Sequence, residues 1–386
     1  MNKAERQRAL PYLQQVGEPL FEQWYLLHHR ILRIVTNRAS LAQQIRAYLY
    51  YAELLGECVY EQAKQFPMDI PEDVLLQAGQ RVYKHVVLTC YLFETSPGEA
   101  FPPTPLIGKP EQIQWEEISG VNGPVRARWK QGEMRYREYQ AYPGVSSRIF
   151  SLLCKADLYS TIFIEDVSKC AAWFMMRFVF YMVVGAMLGY AGFEIVHAGA
   201  IALDDSGALL IGSPGSGKSI LVLSCLLEGL HHLADDVLFL AKDDVLVHMY
   251  AFPEDIGVRR GALNMLGQHA CMQDLQKDER KKRFVDVQRH FRKQVTASCP
   301  VRILLFIHAK NRDAKFRAEP LSRTQVISTL IQEYISHQKV QEGNGEDTFV
   351  LFTDLASQAV AYQLWLTPDA QENARQVRML LGQHKV

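Results

Sequence analysis

Apolar residues fall in two rhythms along this chain: short continuous or alternating runs, and longer stretches at helical spacing. In the first half, Ile31–Thr36 and His85–Phe93 are strand-like, rich in β-branched and aromatic residues. Residues 1–30 predict a helix with Phe21, Trp24 and Tyr25 on its packing face, and Asn37 or Ser40 predicts the cap of a helix over 41–55. A further helix is predicted over 72–83. Residues 94–111, dense in Pro and Gly, predict a long loop, and alternating runs at 113–118, 125–130, 134–141 and 161–163 predict an antiparallel meander.

The second half opens on a helix over 167–190 and a strand over 193–203 that carries His197. Asp204-Asp205-Ser206-Gly207 has hairpin-turn chemistry and leads into Ala208–Ile211, a short apolar run fit for a buried strand. Helical spacing follows from Ile220 to Leu230. Strands are predicted to the end of the run at Leu240, over 245–250 and 252–258, and over 302–308. A helix over 321–337 is capped near Ser322, and a last helix covers 369–382. The predicted class is therefore α/β (α+β), with an α+β region over 1–165 and a second domain over 166–386.

Between the strand and the helix stands Gly212-Ser213-Pro214-Gly215-Ser216-Gly217-Lys218-Ser219, followed by Ile220, which fits the P-loop pattern G-x-x-x-x-G-K-[ST] without mismatch. Glycines let backbone N–H groups curl round an anion without Cβ clashes, and the helix N-terminus adds partial positive charge. Lys218 would reach the β- and γ-phosphates of a nucleotide, and the Ser219 hydroxyl would ligate Mg²⁺. A hairpin feeding such a loop is unlike the parallel βαβ unit of ordinary P-loop proteins and points to a mixed sheet.

Asp235-Asp236 follow the P-loop helix at the start of an apolar run. Beside a lysine-bound phosphate, one carboxylate can complete the Mg²⁺ shell while the other takes a hydroxyl proton. The plainer alternative is a solvated turn, as at Asp204-Asp205. His197, in an otherwise apolar strand, is equally a core histidine or a site residue. Arg259 and Arg260 are candidates to offset phosphate charge, as is the basic segment 277–293, whose default is a solvated face.

Composition narrows the partners. Lys plus Arg and Asp plus Glu both number 42, so no global charge draws the chain to nucleic acid. Only Phe284 and Phe291 interleave the basic segment, which further disfavours a nucleic-acid partner. The seven cysteines are scattered without a C-x-x-C pair, which suits free thiols in the cytoplasm. The N-terminal residues lack the apolar core of a signal peptide. Ala171–Tyr190 is long and apolar, but Arg177 and its glycines favour a buried helix over a membrane span.

His197-Ala198-Gly199, the GSPGSGKS loop and Leu233-Ala-Asp-Asp-Val237 together resemble the HPr kinase/phosphorylase superfamily, in its divergent HPr-kinase-related members. The resemblance covers roughly 167–340 and implies a P-loop on a mixed sheet like the phosphoenolpyruvate carboxykinase core. It implies ATP and Mg²⁺ as cofactors, Gly212 to Ile220 around the phosphates, and Ser219 with Asp236 on the metal side. Asp235 would be the general base for a serine hydroxyl and His197 would orient the loop end of the site.

In that family a glutamate-bearing E-I-R-G-L-G-I-I segment stands where this chain has Gly257-Val-Arg-Arg-Gly-Ala-Leu-Asn264, with Glu254 and Asp255 nearby. Residues 1–165 also do not read as the family's regulatory domain. Both differences argue against HPr as substrate and against phosphorolysis. Related kinases phosphorylate a serine of a biosynthetic precursor peptide, in lasso-peptide systems among others, and the family's habit is a homo-oligomer. The expectation is a serine kinase acting on a small protein or peptide. The rivals are a small-molecule kinase and a nucleotide-gated regulatory module.

Overall fold

In the computed structural model of the chain, Leu20–Leu27 is a strand, β1, where the aromatic cluster predicted a helix. The residues described are 19–60, 71–78, 87–95, 116–117, 125–131, 134–139, 146–243, 245–252, 254–259, 266, 276–277, 282–308, 315–337 and 345–384. His28 and His29 both take positive φ, 51° and 57°, and close a two-residue hairpin onto β2, Arg30–Thr36. Paired left-handed residues match the twist of a tight hairpin. His-His carries none of the Asn-Gly signal that normally announces one, which is why the helix reading failed.

The chain divides into two units, Met1–Ala191 and Gly192–Val386. In the first, helix α1 (Ala39–Tyr48) stops short of the predicted 55, and β3 (Glu53–Tyr60) returns to pair with β1. Helix α2 (Glu72–Ala78) packs beside β3. Strand β4 (Val87–Glu94), β5 (Glu116–Glu117), β6 (Val125–Gln131), β7 (Met134–Tyr139), β8 (Ile149–Cys154) and β9 (Tyr159–Ile164) complete one sheet. Its order is β3-β1-β2-β4-β9-β8-β7-β6-β5, parallel only across β2, β4 and β9. The predicted meander is present, with β8 added between its members.

One buried ion pair crosses this sheet. Arg33 Nη2 lies 2.6 Å from Glu22 Oε1, Tyr60 donates to Glu22 Oε2 at 3.0 Å, and the guanidinium sits 4.8 Å from the Trp24 ring centroid. Buried charges are tolerated when so fully paired. The unit closes with helix α3, Ala172–Tyr190, which includes a π-helical stretch over Met175–Phe180. It is the one described helix long and apolar enough to cross a membrane, and 59% of it is buried. It packs on β4, β8 and β9, and Ser160 Oγ meets Met187 Sδ at 3.2 Å. That packing moves the division of the chain from the expected 165/166 to 191/192.

In the second unit the predicted strand 193–203 is broken in two. Strand β10 (Glu194–Val196) pairs with β14 (Leu238–Asp243), whereas β11 (Gly199–Leu203) pairs with β12 (Ser206–Ile211) and β13 (His231–Ala234). His197 and Ala198 form the break. Asp204, at φ 53°, makes the hairpin turn into β12. Helix α4 (Lys218–Leu227) follows β12, and β15 (Leu246–Tyr250) follows β14.

The predicted strand 252–258 shrinks to β16 (Ile256–Arg259), which joins β17 (Gln276–Lys277) and β18 (Lys282–Val285) in a small separate sheet. The described part of the basic segment beyond Lys282 thus lies in regular structure, β18 and the helix that follows it. Val285, with Val287 and Phe291 of helix α5 (Val287–Phe291), is buried in the same cluster as α4.

Strand β19 (Ser298–Ile307) runs parallel to β12 and to β21 (Val360–Trp365), and β20 (Arg317–Pro320) pairs antiparallel with β21. Helix α6 (Arg323–His337) begins at a capping box in which Ser322 N donates to Gln325 Oε1 at 2.9 Å. Helix α7 (Gly345–Gln358) and β21 lie outside the elements the sequence predicted. Helix α8 (Ala370–Gln383) is capped by Asp369. Leu221 and Leu226 of α4 and Val377 and Leu381 of α8 share one core cluster with Ile303, Leu305 and Leu364. Val326, Leu330, Phe352 and Leu355 of α6 and α7 share another with Leu304 and Phe306. Strand residues alternate between the two clusters, so helices cover both faces of a mixed sheet.

His232 sits wholly inside this unit, with neither ring nitrogen hydrogen-bonded among the described residues. Burial pushes its pKa down to about 3. The unfolded chain holds a proton there below about pH 6.5, and the folded protein does not until about 3. Stability therefore falls as pH drops through that window, by up to about 1.4 kcal/mol per pH unit. Urea midpoints measured between pH 7 and 4 should decline less steeply in His232→Leu than in the parent. Equal slopes would remove His232 from the acid limb.

Candidate functional site

Strand β12 ends at Ile211, and the chain turns through Gly212–Gly217 into the first residue of α4, Lys218. Gly215 and Gly217 take φ of 88° and 108°, which side-chain-bearing residues avoid. Gly212 is a close approach: a Cβ there would lie 2.9 Å from Ser216 Oγ and 3.1 Å from Ile307 O. Gly217 offers α4 no side-chain cap, and the first turn holds no acidic residue. The first N–H groups of the helix, which have no partner within it, are therefore left for an anion. Ser216 Oγ is also buried without a hydrogen-bond partner among the described residues.

Lys218 is only 7% exposed, and its ammonium donates to Gly212 O. Burial pushes its pKa down, while the negative charges of Asp236, Glu333 and Asp235 oppose that shift. The charges of two carboxylates at the end of β13 and of one on a distant helix therefore act on one lysine. Asp235 is 6% exposed and its Oδ2 accepts the Gly257 N–H of β16 at 3.3 Å. The side chain of Asp236 is half exposed, and its Oδ1 lies 3.2 Å from His197 Nδ1. The break at His197 is what releases its ring from the sheet ladder. Gly199, two residues on, leaves no room for a side chain, since a Cβ there would come within 2.9 Å of Val222 Cγ2 on α4.

The remaining candidates are distributed less closely. Ser213, Ser216 and Ser219 are half-buried and Pro214 and Gly215 exposed, while Ile220 packs against the core under α4. Arg259 ends β16, two residues beyond Gly257, and is exposed. Arg260 lies outside the described residues. Asp255 Oδ1 accepts the Val287 N–H at 3.4 Å, at the start of α5, whose N-cap is Asp286. Glu333, on α6, is a residue that sequence reasoning missed: it lies more than a hundred positions from the loop, in an amphipathic helix with no motif of its own.

Among the described residues no cluster of three or more His, Cys, Asp or Glu is arranged to hold a metal ion alone. Magnesium bound with a nucleotide needs only one or two protein oxygens, since phosphates and waters supply the rest. The Ser219 hydroxyl and the half-exposed Asp236 carboxylate fit that sparser demand.

No family model matches the chain, and no curated protein matches it. Solved structures are similar to it, an HPr(Ser) kinase/phosphatase among them. The HPr(Ser) kinase/phosphatase from Coxiella burnetii aligns over 49% of this chain and 99% of its own, at 13% identity and a TM-score of 0.26.

Proposed function

We propose that this chain is an ATP- and Mg²⁺-dependent phosphotransferase acting on a hydroxyl, that of a serine on a small protein or peptide. The observation that carries the reading is the turn from β12 into α4, where Gly215 and Gly217 take positive φ, the first helical N–H groups are uncapped, and Gly212 O accepts from the buried Lys218 ammonium. Lys218, the loop N–H groups and the α4 N-terminus bind and orient the β- and γ-phosphates. Bound Mg²⁺ supplies charge neutralisation, with Ser219 and Asp236 as its protein oxygens.

Asp235, buried and aimed by the Gly257 N–H, takes the serine proton as the hydroxyl oxygen bonds to the γ-phosphorus and the bond to the β-phosphate oxygen breaks. The products are a phosphoserine and ADP, with the proton on Asp235. His197 holds Asp236 through Nδ1 and keeps it turned to the metal side. Arg259, on the strand that anchors Asp235, and Arg260 beside it are the cations proposed to offset the developing charge.

The test is incubation of the protein with ATP, Mg²⁺ and two substrate sets, serine-containing peptides and small metabolites, followed by mass spectrometry. The expected result is a mass gain of one phosphoryl group on a peptide serine. A gain confined to metabolites would make it a small-molecule kinase. ATP turnover with no phosphorylated acceptor would make it a nucleotide-gated module.

A further inference from the structure

The C-terminal ends of the parallel strands form one edge of the second unit, and a row of flat side chains runs along it away from the glycine loop. Ile211 of β12 is level with Phe306 of β19, and a Cβ on Gly212 would lie 3.1 Å from Ile307 O, so the loop leaves its strand beside the residue that precedes His308. His308 N donates to Leu364 O at 2.9 Å, which sets its ring beside Trp365. The two rings stack at 5.7 Å with 22° between their planes. Trp365 is in turn level with Arg317 of β20, whose guanidinium lies 3.8 Å from the indole centroid. Arg317 Nε is 3.5 Å from Glu319 Oε1.

The result is a ladder, His308, Trp365, Arg317, whose outer members come from the strands on either side of β21. His308 is exposed, and among the described residues no second ring packs on it. Leu366, next along the chain, faces the loop itself, at 3.5 Å from where a Cβ on Gly217 would stand. The end of β21 therefore supports both the loop and the ladder.

Direction decides what the ladder is for. Strand β13 is antiparallel to β11, which is antiparallel to β12, so Asp235 leaves the sheet at this same edge. At about 4.8 Å per strand, the carboxylates stand roughly 10 Å to one side of the β12 end. His308 and Trp365 stand about 5 and 10 Å to the other. With the γ-phosphoryl facing Asp235, a triphosphate extended along this edge carries its nucleoside to the side of His308.

We propose that the His308–Trp365–Arg317 ladder is the nucleobase platform of the site, with the base stacked on the face of His308 turned away from Trp365; this rests on the phosphotransfer reading above. Arg317 and Trp365 are positioning residues that hold the imidazole plane. Stacking accepts any π-face, so purine and pyrimidine nucleotides both fit.

The experiment titrates the full chain, in Mg²⁺, with ADP and with inorganic tripolyphosphate, which carries the phosphates but no base. His308→Ala and Trp365→Ala should weaken ADP about tenfold and leave tripolyphosphate within about twofold of the parent. His308→Phe keeps a stacking face and should retain ADP affinity, with an unchanged melting temperature confirming the fold. The platform is overturned if His308→Ala leaves ADP binding intact, or weakens both ligands equally, while the parent binds both; phosphotransfer would then still stand. A parent protein that binds neither ligand overturns the phosphotransfer reading and the platform with it.

Discussion

Asp235→Asn is expected to lower phosphotransfer by about 10²–10⁴-fold, the usual contribution of a positioned general base, while leaving nucleotide affinity near that of the parent. The substitution is nearly isosteric. The amide oxygen of asparagine can accept the Gly257 N–H that now ends on Asp235 Oδ2 at 3.3 Å, so the side chain keeps its place. Basicity alone is removed. Single-turnover transfer and ADP titration on the same preparation separate the two quantities. Should affinity fall as far as transfer, Asp235 would belong to the nucleotide or metal shell and the base would have to be sought elsewhere.

The part of the site legible in the sequence is the part whose geometry is local. A strand, a glycine loop and a helix in immediate succession leave the backbone few choices, and Gly217 and Lys218 fall where the motif puts them. Asp235-Asp236 stand out in the sequence as a carboxylate pair opening an apolar run; the structure buries Asp235 and leaves the Asp236 side chain half exposed. The sequence reading places His197 within one strand, whereas it lies at the break between β10 and β11. That break exists because the chain changes pairing partner there, from β14 to β12 and β13, a fact of topology and not of composition.

The same limit explains what stayed hidden. His308, Arg317 and Trp365 come together only through parallel pairing of β19 with β21 and the return of β20. Glu333 reaches Lys218 only because α6 packs on the sheet. In the first unit the aromatic run over β1 had the composition of either element. The turn at His28 and His29 decided it, with positive φ at residues that seldom supply it.

Lys218→Ala should differ from Asp235→Asn in kind, abolishing transfer and nucleotide binding together. The ammonium is buried and bound to Gly212 O, and the negative charges of Asp236, Glu333 and Asp235 favour its charged form. Without a phosphate, that negative environment and the backbone oxygen hold it; with one, a stronger charge-assisted partner is offered at the same place. Truncating one member of a buried charged pair costs about 2–5 kcal/mol, or roughly thirtyfold to several thousandfold in affinity. Removal of the cation also leaves Asp235 and Asp236 facing the incoming phosphates without compensation, which pushes the loss toward the upper end. Lys218→Arg should not rescue, because a planar fork does not fit a space shaped for a compact ammonium. ADP and tripolyphosphate titrations should show equal losses in Lys218→Ala, since the contact is to phosphate and not to the base. If Lys218→Ala bound both as the parent does, the loop would not be an anion site. The carboxylates around it would then have no phosphate to act on.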